Sequence, residues 1–247
     1  MSENLTIPQP ETQLSQVSRV VDTFVAPSKT FTDVRRNRSW WLPFLITVML
    51  SYMFLWAAAT KVGFHQLTIN SINENPSQAA KFDKLNPQQQ AAQLSVAAAV
   101  TKGFFYGTPI LILVIAAICA LVFWGCLKIP GGQADFSSIF AVLMYASLIQ
   151  QVKSILGTIV LFAAGDASGF NLQNPVPTNP GSFLDASSAH WLKSLLSSID
   201  VITLWYLLVV TIGCAIVSKL KKGPTAAVVF GLWILVVLFS VGWAAAF

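Results

Sequence analysis

Long, uninterrupted apolar runs alternate with short polar stretches along the chain. Runs of about 18 or more mostly apolar residues, enough to cross roughly 30 Å of hydrocarbon, fall at about 40 to 60, 103 to 127, 137 to 164, 201 to 218 and 225 to 246. Segments of this length must be helical in lipid, because an open strand would leave backbone N–H and C=O groups without partners. The pattern predicts an all-α polytopic membrane protein. A five-transmembrane-helix bundle occupies 40–247, and residues 1–39 form a cytoplasmic segment with amphipathic interfacial helices.

Within that first segment, Leu14, Val17, Val20, Val21 and Phe24 recur at three- and four-residue steps. They define one face of a helix that ends before Pro27. A second short helix is expected from Thr30, where Asp33 three positions later completes a Ser/Thr-x-x-acid capping pattern. Phe31 and Val34 then face one way, while Arg35, Arg36 and Arg38 reach toward lipid phosphates. Trp40 and Trp41 read as anchors at the membrane–water boundary, and Pro43 falls in the first helical turn, where it is tolerated.

Two of the connecting segments are large. In 61 to 102, Asn86 can cap and Pro87 can take the first position of a helix running continuously into the second span. In 165 to 192, "NPVPTNPGSF" holds three prolines and a glycine and predicts irregular structure. An amphipathic lead-in with Trp191, Leu192, Leu195, Leu196 and Ile199 follows it.

Composition agrees with a membrane protein: 10% of the residues are charged and 55% are hydrophobic, too few charges to cover a soluble surface. Cys119, Cys126 and Cys214 all lie in apolar runs and read as small buried hydrophobes. No cleavable secretory signal is apparent, so the run from Trp40 is expected to act as an uncleaved anchor. Nine Lys and Arg residues fall on the N-terminal side of the spans, three of them in the tight "SKLKKGP" turn, against five on the other side. The positive-inside rule then predicts an N-terminus that is cytoplasmic and a C-terminus outside.

Signs of catalysis are missing. HExxH, GxSxG, a GxGxxG after a strand and GxxxxGK are all absent, and neither a catalytic set nor a metal or cofactor is expected. His65 and His190 fall in connecting segments, and no acidic residue lies in the middle of a span; Asp200 sits where it can cap the fourth. The polar exception is "YASLIQQVKSILG", which puts Gln150, Gln151 and Lys153 near the centre of the third span. Ser147, Gln150, Lys153 or Ser154, and Gly157 share a helical face. A central lysine costs on the order of 2.5 to 3.5 kcal/mol on insertion, so this face should turn toward protein or a water-filled cavity. It is either a headgroup or small-substrate site, or an interhelical hydrogen-bonding stripe with Lys153 paired or snorkelling. Gly103 and Gly107 form a GxxxG, and Thr211, Cys214, Ala215 and Ser218 a small-residue stripe. Both are read as packing within the bundle, with self-association through the GxxxG as the alternative.

The order of "FVAPSKTFTDV", "WWLP", "GGQADFSSIFAVLMYASL", "SSIDVITLWYLLVVTIG" and "KLKKGPTAAVVFGLW" resembles the YIP family of Ypt/Rab-interacting proteins, most of all its bacterial branch, over roughly 18 to 246. The resemblance implies one five-span domain without enzymatic activity. Eukaryotic members bind prenylated Rab GTPases, but their DLYGP motif before the first span is absent here, with only a partial echo in "YGTP" at 106 to 109. Rab binding is therefore not carried over, and Ile149 stands where many relatives have proline. The expectation is a membrane-organising or protein-interaction module, with the bilayer and a protein at the N-terminal segment as partners and no nucleic acid. The competing expectation is a small transporter, lipid-handling protein or channel component using the third span's polar face.

Overall fold

A computed structural model describes residues 13–185 and 188–246. Its helices are α1 (Gln16–Val25), α2 (Pro27–Val34), α3 (Trp41–Lys61), α4 (Phe64–Asn73), α5 (Pro76–Asp83), α6 (Pro87–Lys128), α7 (Phe136–Ala163), α8 (His190–Ser198), α9 (Val201–Ser218) and α10 (Lys222–Ala246), with a 3-10 turn at Pro180–Phe183. Among the described residues there is no strand. Five helices, α3, α6, α7, α9 and α10, are long and apolar enough to cross a membrane. The fold is thus a polytopic helical membrane bundle. Below, "base" means the end where α3, α7 and α10 start, and "top" the opposite end.

Helix boundaries follow local chemistry. Asn86 and Gln89 make a reciprocal capping box and Pro87 opens α6, which runs without a break for 42 residues. Asp135 caps α7 through the Ser138 amide, and Asp200 caps α9 through the Thr203 amide. Lys219, at φ 56°, ends α9 in the left-handed conformation and lets the chain turn at once into α10.

At the centre of the bundle lies α7. From Ser138 to Ile149 its residues are buried, Ser147 excepted, whereas α6 and α10 expose Ile110, Ile118, Leu121, Leu235 and Phe239 on outward faces suited to lipid. Parallel to α7 runs α3, at a constant offset: Trp40 packs edge-on against Phe140 at 5.2 Å, Thr47 faces Ser147 at 3.3 Å, and Ser51 donates to Gln151 at 3.4 Å. On its other side α9 runs antiparallel, contributing buried Thr211, Cys214, Ala215 and Ser218, so the small-residue stripe packs within the bundle as expected. The GxxxG does not: a Cβ at Gly103 or at Gly107 would meet nothing within 4 Å. Its face points away from the helices that α6 packs on.

The N-terminal segment forms the two short helices expected and packs them onto the bundle. Its helices form a hairpin seated on α7 and α9, with Phe31 and Val34 fully buried and Phe24 edge-on to Trp205 at 5.8 Å. The second helix begins at Pro27, not Thr30. Thr30 is no cap: its hydroxyl donates at 2.9 Å to the Arg19 carbonyl of the neighbouring α1, which also accepts from the Thr23 hydroxyl. Pro27, whose fixed φ suits a first helical position, starts the helix instead.

Candidate functional site

Two polar clusters lie inside this otherwise apolar body. The first is built on α7. Gln150 and Lys153 leave the helix toward α9, where Lys153 Nζ donates to Thr203 Oγ1 at 3.1 Å and sits 2.9 Å from Asp200 Oδ1, and Gln150 Nε2 reaches Thr203 Oγ1 at 3.5 Å. Asp200 is 2% exposed at its side chain and Lys153 28%. The other Asp200 oxygen accepts from Thr178, whose carbonyl in turn accepts the Val201 amide at 3.2 Å. Burial alone would raise the Asp200 carboxyl, but hydrogen bonds from Thr178, Lys153 and the Thr203 amide, with the Lys153 charge, hold it below its ordinary range.

Gln151 faces the other way. It is buried against α3 and accepts from Ser51, one turn above the Thr47 and Ser147 pair. Gly157 also faces α3, where a Cβ would lie 2.7 Å from the Phe54 ring. The polar residues of the third span therefore divide between two helix contacts, and Gln150, Gln151 and Lys153 do not converge on one binding point. Chemically, the Lys153 cluster is a clamp joining α7, α9 and the Thr178 loop.

The second cluster went unseen in the sequence. Arg19, fully buried, points Nε at Asp33 Oδ2 at 2.5 Å and donates from Nη1 to the Asn37 carbonyl at 3.0 Å. Thr23 and Thr30 both donate to the Arg19 carbonyl. Tyr145 of α7 donates to Gln16 at 2.8 Å and ties the hairpin to the core. Nothing in the spacing of α1 marks Arg19, which lies on the side opposite the apolar face of Leu14, Val17, Val20, Val21 and Phe24; its burial and its pairing with Asp33 required the hairpin.

Around the hairpin stand the other residues singled out by sequence. Arg35 and Arg36 are exposed at the base. Arg38 pairs with Asp135 at 2.5 Å, with both side chains about half exposed. Trp41 is 52% exposed at the start of α3, while Trp40 is half-buried between Phe44 and Phe140.

At the top, α4, the protruding part of α6 and the 171–173 loop enclose a cleft of about 560 Å³, floored by Leu67 and Ile72 and rimmed by Gln78, Gln93 and Gln173. Beside it Lys193 of α8 pairs with Glu74, the residue that caps the end of α4, at 2.9 Å. His190 lies at the start of α8 next to this pair, and His65 is on α4. Among the described residues no group of three His, Cys, Asp or Glu could hold a metal ion.

A family model for the Yip1 domain matches residues 21–244. The chain is 24% identical over 221 residues to "Membrane protein YknW" of Bacillus subtilis (strain 168), an alignment covering 87% of this chain and 86% of that protein. No solved structure matches.

Proposed function

This chain belongs to the Yip1 domain family, and on that premise we propose that it is a non-enzymatic module of the cell inner membrane that holds a protein-interaction surface at its cytoplasmic base. The observation that carries this reading is the seated N-terminal hairpin. The buried Arg19 and Asp33 pair joins α1 to α2, and the Tyr145–Gln16 bond with buried Phe31 seats them on the bundle, so that exposed Ser28, Lys29 and Arg35, with half-buried Thr32 among them, form one polar edge of fixed shape. A fixed edge lowers the ordering cost of binding a partner.

The polar third span supports the same choice over transport. Lys153, the one charged side chain in the middle of that span, has its charge met by Asp200 and its hydrogen bond by Thr203. A solute path would have to break that pair. Orientation rests on the lysine and arginine asymmetry, which puts the base in the cytoplasm; Phe247 itself lies outside the described residues.

Photo-crosslinking residues at Lys29, Thr32 and Arg35 in growing cells test the proposal. One discrete protein adduct is expected at these positions, lost when Arg19→Ala loosens the hairpin. Absence of adducts, joined to Lys153-dependent solute or lipid flux in proteoliposomes, would replace interaction by transport. Reporter fusions at the N-terminus and Lys221 should report the cytoplasm, and fusions in 165 to 185 the outside.

A further inference from the structure

We infer that the α1–α2 hairpin is sunk into the leaflet on the base side of the bundle, with Val17, Val21 and Val25 as its contacts with lipid acyl chains. This assignment stands independently of any protein partner on the α2 edge. The occupant of the valine stripe is fixed by depth. Two contacts set the register of antiparallel α7 and α9, Val142 beside Gly213 and Lys153 beside Thr203, and they agree to within one residue. On that ladder Trp205 stands level with Gln150 and Gln151. Trp40 against Phe140 marks the start of α3 at the base.

At a rise of 1.5 Å per residue, Phe31, which lies against Gly213, is about 3 Å above the Phe140 level, and Trp205, which Phe24 touches, is about 15 Å above it. The tip at Ala26 therefore reaches about half the length of α3, itself about 31 Å. An element at that height on the flank of a spanning bundle meets hydrocarbon.

Side-chain chemistry fits the same occupant. Val17, Val21 and Val25 recur every four residues and are 67%, 54% and 75% exposed, a stripe without a charge. Polar groups inside the hairpin are met internally: Arg19 by Asp33 and Asn37, and the hydroxyls of Thr23 and Thr30 by the Arg19 carbonyl. Lipid demands such internal satisfaction, whereas a hairpin lying in water does not. Asp22, half-buried on the flank of α1, is the exception: among the described residues its carboxylate has no bond, and its charge is the cost of this placement, while Lys29 is exposed on α2. Lys29 is about 6 Å above the Phe140 level, a distance its four-carbon stem can cover on the way back to the headgroups.

The test is spin-label accessibility on the full chain in vesicles of phosphatidylethanolamine and phosphatidylglycerol. Val21→Cys, Val25→Cys and Lys29→Cys are labelled one at a time in a background carrying Cys119→Ala and Cys126→Ala; Cys214 is fully buried and can stay. Labels at 21 and 25 are expected to collide with oxygen and to lose collision with a water-soluble nickel chelate, and the label at 29, nearer the base, to keep more nickel collisions than either. Nickel access at 21 and 25 would put the stripe in water and overturn the inference. Loss of both collisions would mean a protein covers it, which overturns the inference equally. Should Val25→Cys not fold, Val17→Cys reads the same face.

Discussion

Lys153 Nζ lies 2.9 Å from Asp200 Oδ1, joining the middle of α7 to the N-cap of α9 across 47 positions of sequence. Removing one partner strands the other in a poorly solvated site, a loss of about 3 to 5 kcal/mol for a fully buried pair, toward the lower figure here because Lys153 keeps some exposure. Asp200→Ala also removes the α9 cap and the Thr178 bond, so it should be the more damaging change. Thermal unfolding in detergent should show Asp200→Ala below Lys153→Met, and the double variant less destabilised than the sum of the two.

The depressed Asp200 carboxyl sets a pH dependence. A group whose folded pKa lies below its unfolded value adds stability above the unfolded value, about 3.9 for Asp, and that stability is lost as pH falls through the folded one. Unfolding temperature should therefore vary little on this account between about pH 7 and pH 5 and fall below about pH 4. Asp200→Asn should flatten the acid limb. An unchanged limb would assign acid sensitivity to other carboxylates.

Gly213 is needed for close approach. A Cβ there would lie 2.5 Å from a Val142 methyl and 3.1 Å from the Phe31 ring. Gly213→Ala should cost about 1 to 3 kcal/mol through overpacking, and Gly213→Leu should expel Phe31. Limited proteolysis within 26 to 30 then reads the loss of the hairpin. By contrast Gly103→Ala and Gly107→Ala, with open space around both, should be neutral or stabilise by about 0.4 to 1 kcal/mol.

The hairpin clamp makes a further prediction. Asp33→Ala leaves Arg19 buried without its ion-pair partner, whereas Arg19→Met with Asp33→Leu replaces the pair by apolar groups of similar size. The first should release the hairpin, and the second should largely keep it seated, because a buried pair is costly to break and often nearly neutral to replace. Thiol labelling at Phe31→Cys measures seating directly. Equal labelling in both backgrounds would show that the pair does not hold the hairpin.

Which parts of this protein a sequence reading reaches depends on the range of the interaction. The five spans follow from run length alone, since lipid admits only helices there. The Asn86–Pro87–Gln89 start of α6 and the Asp200 cap are settled within three residues, and both are found where local spacing puts them. Gly103 and Gly107 show the limit: a motif suited to packing names no neighbour, and the fold supplies none.

Tertiary structure alone decided which apolar faces meet protein. Lipid tails and leucine side chains are alike in polarity, so hydropathy cannot tell half-buried α9 from α10, which exposes most of its surface: their mean hydropathies are 2.3 and 2.4. Likewise Lys153, Gln150 and Gln151 announced themselves as polar, but their division between α9 and α3 depends on the register of three helices. The N-terminal amphipathic pattern asked for one apolar surface under Leu14, Val17, Val20, Val21 and Phe24, but the structure packs only Val20 and Phe24 of that face on the core, leaves Val17 and Val21 exposed and buries Arg19 and Thr23 instead. That Phe24 and Phe31 pack on α9, while Val17 and Val21 face outward, follows from a hairpin whose Arg19 and Asp33 meet across 14 residues, beyond the reach of any local period.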